Sequence, residues 1–320
     1  MKLFSKDALD NTIVKGLVVA KTVEVKPTSR GTNFLSLTLS DAEGEVSAKY
    51  WDADKLPAIP ESGAILRIEG TLGSWNDIRQ VTISKMEIVD IASLDDIALE
   101  ALLPVCPIPG YVMLNELKSA VSRFSDKHLQ VLINTVFKEE GEKFSTFYGA
   151  MRMHHAVRGG LIWHTLSMMR TADRICDVYS QLYDTYTINR DLVIAGIILH
   201  DICKMREYEE NNLGVVTDIT PEGQLLGHIA MGAMYVDEMC KKVGVPDNTR
   251  LALTHILLSH HGQPDYGSPK VPAFPEALIV SEVDMLDAKM NAMMAGLVDV
   301  EPGTLSDKCP ALGGIRLYRL

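Results

Sequence analysis

A chain of 320 residues with 47% hydrophobic content can bury a large core and divides naturally into two domains, and its net charge of −11 argues against broad, nonspecific nucleic-acid binding through a basic surface. The N-terminus, Met1-Lys2-Leu3-Phe4-Ser5-Lys6-Asp7, lacks the apolar core of a secretory signal, and no apolar run approaches the ~20 residues that span a bilayer. The five cysteines show no CxxC spacing, so a cytoplasmic protein with reduced thiols and no membrane partner is expected. The acidity is uneven: residues 1–90 hold 11 Lys and Arg against 13 Asp and Glu, and the remainder 20 against 29.

In chain order, the first 90 residues read as strands. Ile13 to Val25, Asn33 to Ser40, Glu45 to Trp51, Ala64 to Leu72 and Gln80 to Val89 alternate or run apolar with β-branched enrichment, separated by turn signals such as Ser29-Arg30-Gly31. Five strands in this length predict a small barrel, and Phe34 to Asp41 followed by Gly44 to Trp51 resembles strands 2 and 3 of a nucleic-acid-binding OB fold. Such a face holds single strands by stacking and phosphate contacts, which makes Phe34, Lys49, Trp51, Trp75 and Arg79 the candidate contacts. The competing roles are barrel filling by the aromatics and homo-oligomerisation by the barrel as a whole.

Residues 91–150 read as a helical connector, with Pro104, Pro107 and Pro109 marking a break before helical spacing over Met113 to Phe124 and Lys127 to Lys138. From residue 151 to 320 an all-helical domain is expected, with helices over 161–180, 190–205, 221–243, 247–261 and 275–295. Thr220-Pro221 supplies an N-cap and a first-turn proline, and Gly262 a helix stop. The fold class is therefore a five-stranded OB-type barrel followed by an all-α helical bundle.

The chemistry centres on His200-Asp201, two metal-binding side chains inside the apolar helical run Ala195 to Lys204. An imidazole and a carboxylate in a core need partners that offset their desolvation, and a divalent cation supplies them. Further candidates follow along the chain: His164, His228, His260, His261 and Asp284, each in or beside an apolar helical segment. Any one alone could be a core histidine or a helix-edge aspartate. Together, as mixed histidine and carboxylate ligands with Asp201 free to bridge, they suit two ions better than one. His255 falls off the face of His260 and reads as structural.

The order His, His-Asp, His, His-His, Asp resembles the HD superfamily of metal-dependent phosphohydrolases, in its five-histidine, two-metal branch. Gly159-Gly160-Leu161, Arg190-Asp191-Leu192, Glu222 to His228, Leu258-Ser259-His260-His261-Gly262 and Asp284 to Lys289 extend the likeness to the YhaM-type 3′-to-5′ exoribonucleases, in which an OB-fold domain precedes the HD domain. The pattern departs at Cys203, where the usual His-Asp-Ile-Gly-Lys signature has glycine. The resemblance implies two divalent cations, Mn²⁺ first, with Fe²⁺, Co²⁺ or Zn²⁺ also compatible with thiolate-free ligands. It also implies in-line attack of an activated water on a phosphodiester of single-stranded RNA, or of single-stranded DNA, and makes His154, His155 and Arg158 candidates for substrate phosphate contact. Asp201 and Lys204 carry the catalytic assignment, Lys204 because it lies four residues after His200 and can reach a phosphate oxygen. Two other readings compete: a small-molecule phosphohydrolase that uses the barrel as scaffold, and a nucleic-acid-binding protein with a silent HD domain.

Overall fold

The period-two alternation along the second strand, in which Leu35, Leu37 and Leu39 are buried while the residues between them are not, is what rolls the N-terminal segment into a barrel. In the computed structural model, which describes residues 11–29, 31–42, 44–75, 78–94, 98, 102–150 and 157–320, β1 (Ile13–Pro27), β2 (Asn33–Asp41), β3 (Gly44–Tyr50), β4 (Ile65–Trp75) and β5 (Ile78–Val89) close in the order β1-β2-β3-β5-β4. All neighbours are antiparallel except β3 and β5, which pair parallel from Ser47 with Gln80 to Tyr50 with Ile83. Val18, Leu35, Leu39, Val46, Leu66, Ile68, Leu72 and Val81 fill the interior. This is the expected barrel, with strand ends within a few residues of those read from the sequence.

The helical unit is built around α4 (Arg190–Leu199), whose residues Leu192 to Leu199 are all buried. It packs against α2 (Lys127–Thr146), α3 (Gly160–Leu182), α7 (Asp247–Ser259) and α8 (Pro275–Gly296). A helix apolar on every side belongs at the centre of a bundle. Its start is fixed by polar contacts: Arg190 donates to Asp173 and Asp177, and the Asp191 carboxylate accepts from the Ser125 and Asp126 backbone amides at the entry to α2. Helices α1 (Gly110–Ser122) and α2, expected as a connector, contribute Met113, Leu117, Leu132 and Phe144 to the same hydrophobic core as α3, α4 and α7.

Three local features differ from the sequence expectation. The helix expected over 190–205 stops at Leu199, and residues 200–203 run as turns into the short α5 (Lys204–Glu207). Bonds from Ile202 to Leu199, Lys204 to Asp201 and Arg206 to Cys203 tighten the path to three residues per turn, and this rotates His200 and Asp201 inward together. Second, α6 (Pro221–Val243) starts at the Thr220 cap as expected but breaks at Gly227, whose φ of 70° and ψ of 158° are conformations open essentially to glycine alone. Third, the helical unit carries two small hairpins, β6 (Tyr208–Glu210) with β7 (Val216–Ile219), and β8 (Leu305–Cys309) with β9 (Ile315–Tyr318). Strands this short carry too few residues for alternation to register in a sequence.

Candidate metal centre

Each histidine of the cluster is set by a hydrogen bond at Nδ1, which turns Nε2 toward the others. His200 follows the last turn of α4 and donates Nδ1–H to the Ile197 carbonyl at 2.7 Å, and His260 follows the last turn of α7 and donates to the Leu257 carbonyl at 2.7 Å. A carbonyl only accepts, so in both rings the proton sits on Nδ1 and the Nε2 lone pair faces inward. His261, after the same helix, donates to the Tyr266 carbonyl at 2.9 Å. His164, in the second turn of α3, meets Asp287 Oδ2 through Nδ1 at 2.7 Å. His228 meets Glu207 Oε2 at 2.9 Å, and its backbone amide, released by the break at Gly227, donates to Glu207 Oε1 at 3.0 Å.

Two groups of three result, His164, His200 and Asp201 in one and His228, His260 and His261 in the other, with the ligand atoms of each within 4.8 Å of one another. Asp201 lies between the groups. Its Oδ2 is 3.2 Å from His200 Nε2 and 3.9 Å from His164 Nε2, while its Oδ1 is 3.4 Å from His228 Nε2 and 3.9 Å from His260 Nε2. Asp284, on α8, joins the first group with Oδ1 3.2 Å from His164 Nε2. The seven ligand candidates thus come together at one place, brought by α3, the turn after α4, α6, the end of α7, and α8.

Whether these residues fit a cation can be judged from their unmet hydrogen bonds. His200 Nε2, His228 Nε2, His260 Nε2 and Asp201 Oδ1 are buried without a hydrogen-bond partner. Buried polar atoms are ordinarily paired, and four that converge on one point fit a ligand that accepts lone pairs. The donor set of imidazole and carboxylate, without thiolate, suits a divalent cation.

Electrostatics divides the two groups. Burial disfavours a charged imidazole at His164, but hydrogen bonds to Asp284 and Asp287 outweigh it and raise its pKa to about 9. Burial, reinforced by the neighbouring His200, keeps His260 well below the ordinary histidine value, and burial lowers His261 as well. Asp201 is held well below the usual carboxylate range against the effect of burial, chiefly by Lys204 and His200. Lys204 lies half-buried with Nζ 2.7 Å from Asp201 Oδ2, its charge retained against partial burial by that carboxylate. It is therefore not the solvent-facing helix residue that its position would allow.

Glu207 and Asp287 are the functional residues that sequence reasoning missed. Each is a carboxylate behind a ligand, the usual means of fixing a metal-binding imidazole. Asp287 stands three residues after Asp284 on one helix face, a spacing that could have exposed it, whereas nothing in the sequence relates Glu207 to His228. The cluster opens on a cleft of about 790 Å³, lined also by Lys204, Tyr266, Met285, Lys289 and, from the C-terminal hairpin, Leu312 and Ile315.

Of the substrate candidates in this unit, Arg158 is half-buried, pairs its backbone with Cys106 and does not line the cleft. His154 and His155 lie outside the described residues, as does the Trp75 side chain. His255 accepts from the Ala273 amide at 3.1 Å, a structural role. Cys203 is buried, and burial pushes its thiol up to about 11. On the barrel, Phe34 and Trp51 do not join the interior core: their rings lie tilted by 31° with centroids 4.9 Å apart, with Trp51 49% exposed and Lys49 Nζ 5.9 and 5.5 Å from the two rings. Arg79 lies at the start of β5, opposite Ser74.

The chain matches the family model of the HD domain over residues 161–289 and that of an OB-fold nucleic acid binding domain over residues 12–89. It is 32% identical to a 3′-5′ exoribonuclease YhaM of Bacillus pumilus over 91% of this chain and 90% of the relative. The protein of that name from Oceanobacillus iheyensis is 32% identical over 95% and 93%, and that from Bacillus subtilis 31% identical over 91% and 90%. Among the described residues, no helix is long and apolar enough to cross a membrane.

Proposed function

The chain belongs to the YhaM family of 3′-5′ exoribonucleases, and from that premise we propose that it shortens single-stranded RNA from the 3′ end by metal-dependent hydrolysis in the cytoplasm, with two divalent cations, Mn²⁺ foremost, held at the histidine and aspartate cluster. The observation that carries the two-ion reading is Asp201, which turns one carboxylate oxygen toward each histidine group. His164, His200 and Asp284 would hold one cation, His228, His260 and His261 the other, and Asp201 both. Bound there, the cations supply water activation and neutralise charge on the phosphate.

The rest of the work falls to the chain. Asp287 and Glu207 hold two of the imidazoles in the tautomer that presents Nε2. Lys204 places a positive charge at the cleft wall beside the Asp201 oxygen, where it meets a phosphate oxygen of the substrate. The Phe34, Trp51 and Lys49 face of the barrel binds the strand upstream by stacking, which is tolerant of sequence because every base has a π-face.

A 5′-labelled single-stranded RNA incubated with the protein and Mn²⁺ should shorten stepwise from its 3′ end, and chelation of the metal should stop it. A parallel DNA strand reports the sugar preference. Failure to shorten RNA, with nucleotide monoesters hydrolysed instead, would support the small-molecule phosphohydrolase reading.

A further inference from the structure

One side of the cleft is left unused by the chemistry above. On α8 the residues that follow Asp284, namely Met285, Ala288, Lys289 and Met293, all line the cleft, which extends along the helix from Asp284 for roughly 13 Å toward the helix end. There the tip of the β8–β9 hairpin completes the wall with Leu312 and Ile315. The hairpin is fastened to the helix. Arg319 donates to the carbonyls of Leu297, Val298 and Val300 at the end of α8, and Leu317 lies so close to Gly296 that a Cβ there would meet it at 2.9 Å. Gly313 and Gly314, both at positive φ, turn the chain at the tip.

This wall is apolar and wet. Ile315 is 49% and Met293 36% exposed, and both line the same cleft as His164, Asp201, His261 and Asp284. Among the described residues, and apart from the cluster itself, Lys204, Tyr266 and Lys289 bring a polar side chain to the cleft, and the other lining residues are Gly, Ala, Met, Leu and Ile. A phosphate placed at the cluster leaves its nucleoside to extend along the cleft, and the flat apolar part of a nucleoside is its base. Water-exposed apolar surface that adjoins a charged centre marks a ligand site.

We propose that the wall of Met285, Met293, Leu312 and Ile315 seats the 3′-terminal nucleobase of the RNA by apolar contact, without reading its edge. The inference rests on the exoribonuclease reading. None of these four side chains can donate a hydrogen bond to a base edge, so the apolar wall itself does not distinguish the bases, because discrimination needs such bonds.

The test compares the first cleavage step on two RNAs of one sequence, whose 3′-terminal residue carries either a base or an abasic ribose. The full-length protein should show a kcat/KM roughly tenfold or more higher on the base-bearing strand. In Leu312→Ser and Ile315→Ser, that ratio should fall toward one, and Met293→Ser, from the helix side of the wall, should lower it independently. Leu251→Ser, exposed on α7 away from the cleft, should keep it. Thermal melting establishes that each variant is folded. The proposal is overturned by wall variants that retain the wild-type ratio, or by a wild-type protein that does not distinguish the two strands. Should the wild type cleave neither strand, the exoribonuclease reading itself fails and takes this inference with it.

Discussion

His200 and His260 occupy the same place on two different helices: each is the residue after the last turn, and each donates Nδ1–H to the carbonyl three residues back at 2.7 Å. A helix end leaves its last carbonyls without partners, and here the ring that satisfies one of them is thereby held with Nε2 pointing out of the helix end into the cluster. The cap and the ligand are one side chain. Substitution of either histidine by glutamine would keep a polar group at the helix end but not this geometry.

Asp201→Asn should abolish RNA hydrolysis, lowering kcat by on the order of 10³-fold or more, because both groups lose their shared carboxylate. Elemental analysis after reconstitution with Mn²⁺ should approach two ions per chain for the wild type and clearly fewer for the variant. Near wild-type activity in the purified variant would remove Asp201 from the centre.

The two carboxylates behind the histidines should act separately. Asp287→Asn should weaken the cation at His164, and Glu207→Gln the cation at His228, each by about 10- to 100-fold in affinity. Calorimetric titration with Mn²⁺ would resolve which of two binding events moves in each variant. A common loss of both events in both variants would contradict the division into two groups.

The groups should also differ in their pH dependence. With no cation bound, His164 has a pKa of about 9, so near neutral pH its proton must leave before Nε2 can bind a metal. Apparent affinity at that group should therefore rise with pH, by up to about tenfold per unit, and level off above about 9. His260 and His261 are held below the ordinary histidine value, so these two rings should add little dependence over the same range. Without metal, the stability contributed by protonated His164 is present in full below its ordinary value and lost as pH rises through about 9. Proton release during Mn²⁺ binding, measured in buffers of different ionisation enthalpy, checks the first statement. Melting curves of chelated protein from pH 6 to 10 check the second.

Gly227→Ala should cost about 1–3 kcal/mol, because alanine cannot adopt the backbone found there without strain. The break it supports also delivers the His228 amide to Glu207 Oε1, so the variant should bind less Mn²⁺ as well as melt earlier. A variant with lower melting temperature and full metal content would show that the break serves only the helix path.

On the barrel, Phe34→Ala with Trp51→Ala should weaken binding of a labelled oligoribonucleotide by about 5- to 100-fold, the scale of losing one stacked base. Anisotropy titrations on an Asp201→Asn background keep the strand intact. Unchanged affinity would move strand binding to another face.

Much of this architecture could be read from residues alone because it is periodic or chemically conspicuous. Leu35, Leu37 and Leu39 alternate for long enough to declare a barrel strand, and Leu192 to Leu199 is too apolar to lie anywhere but a bundle centre. His200-Asp201 stood out because charge in such a run needs a partner. What stayed hidden depends on short or long-range geometry. The turn at 200–203 arises from three-residue bonding that leaves no compositional trace, and Glu207 acquires its role only when a glycine break brings His228 to it. Residues 305–318 form strands of five and four residues, too brief for a pattern, yet they build one wall of the cleft.

The ligands are spread from His164 to Asp284, over five segments of the helical unit, whereas every strand of the barrel lies before residue 90. Domains close in the order in which they leave the ribosome. The part of this protein that matches an OB-fold nucleic acid binding domain can thus fold on the strength of its own strands, whereas the candidate metal centre cannot assemble until Asp284, the last of its seven residues, has been made.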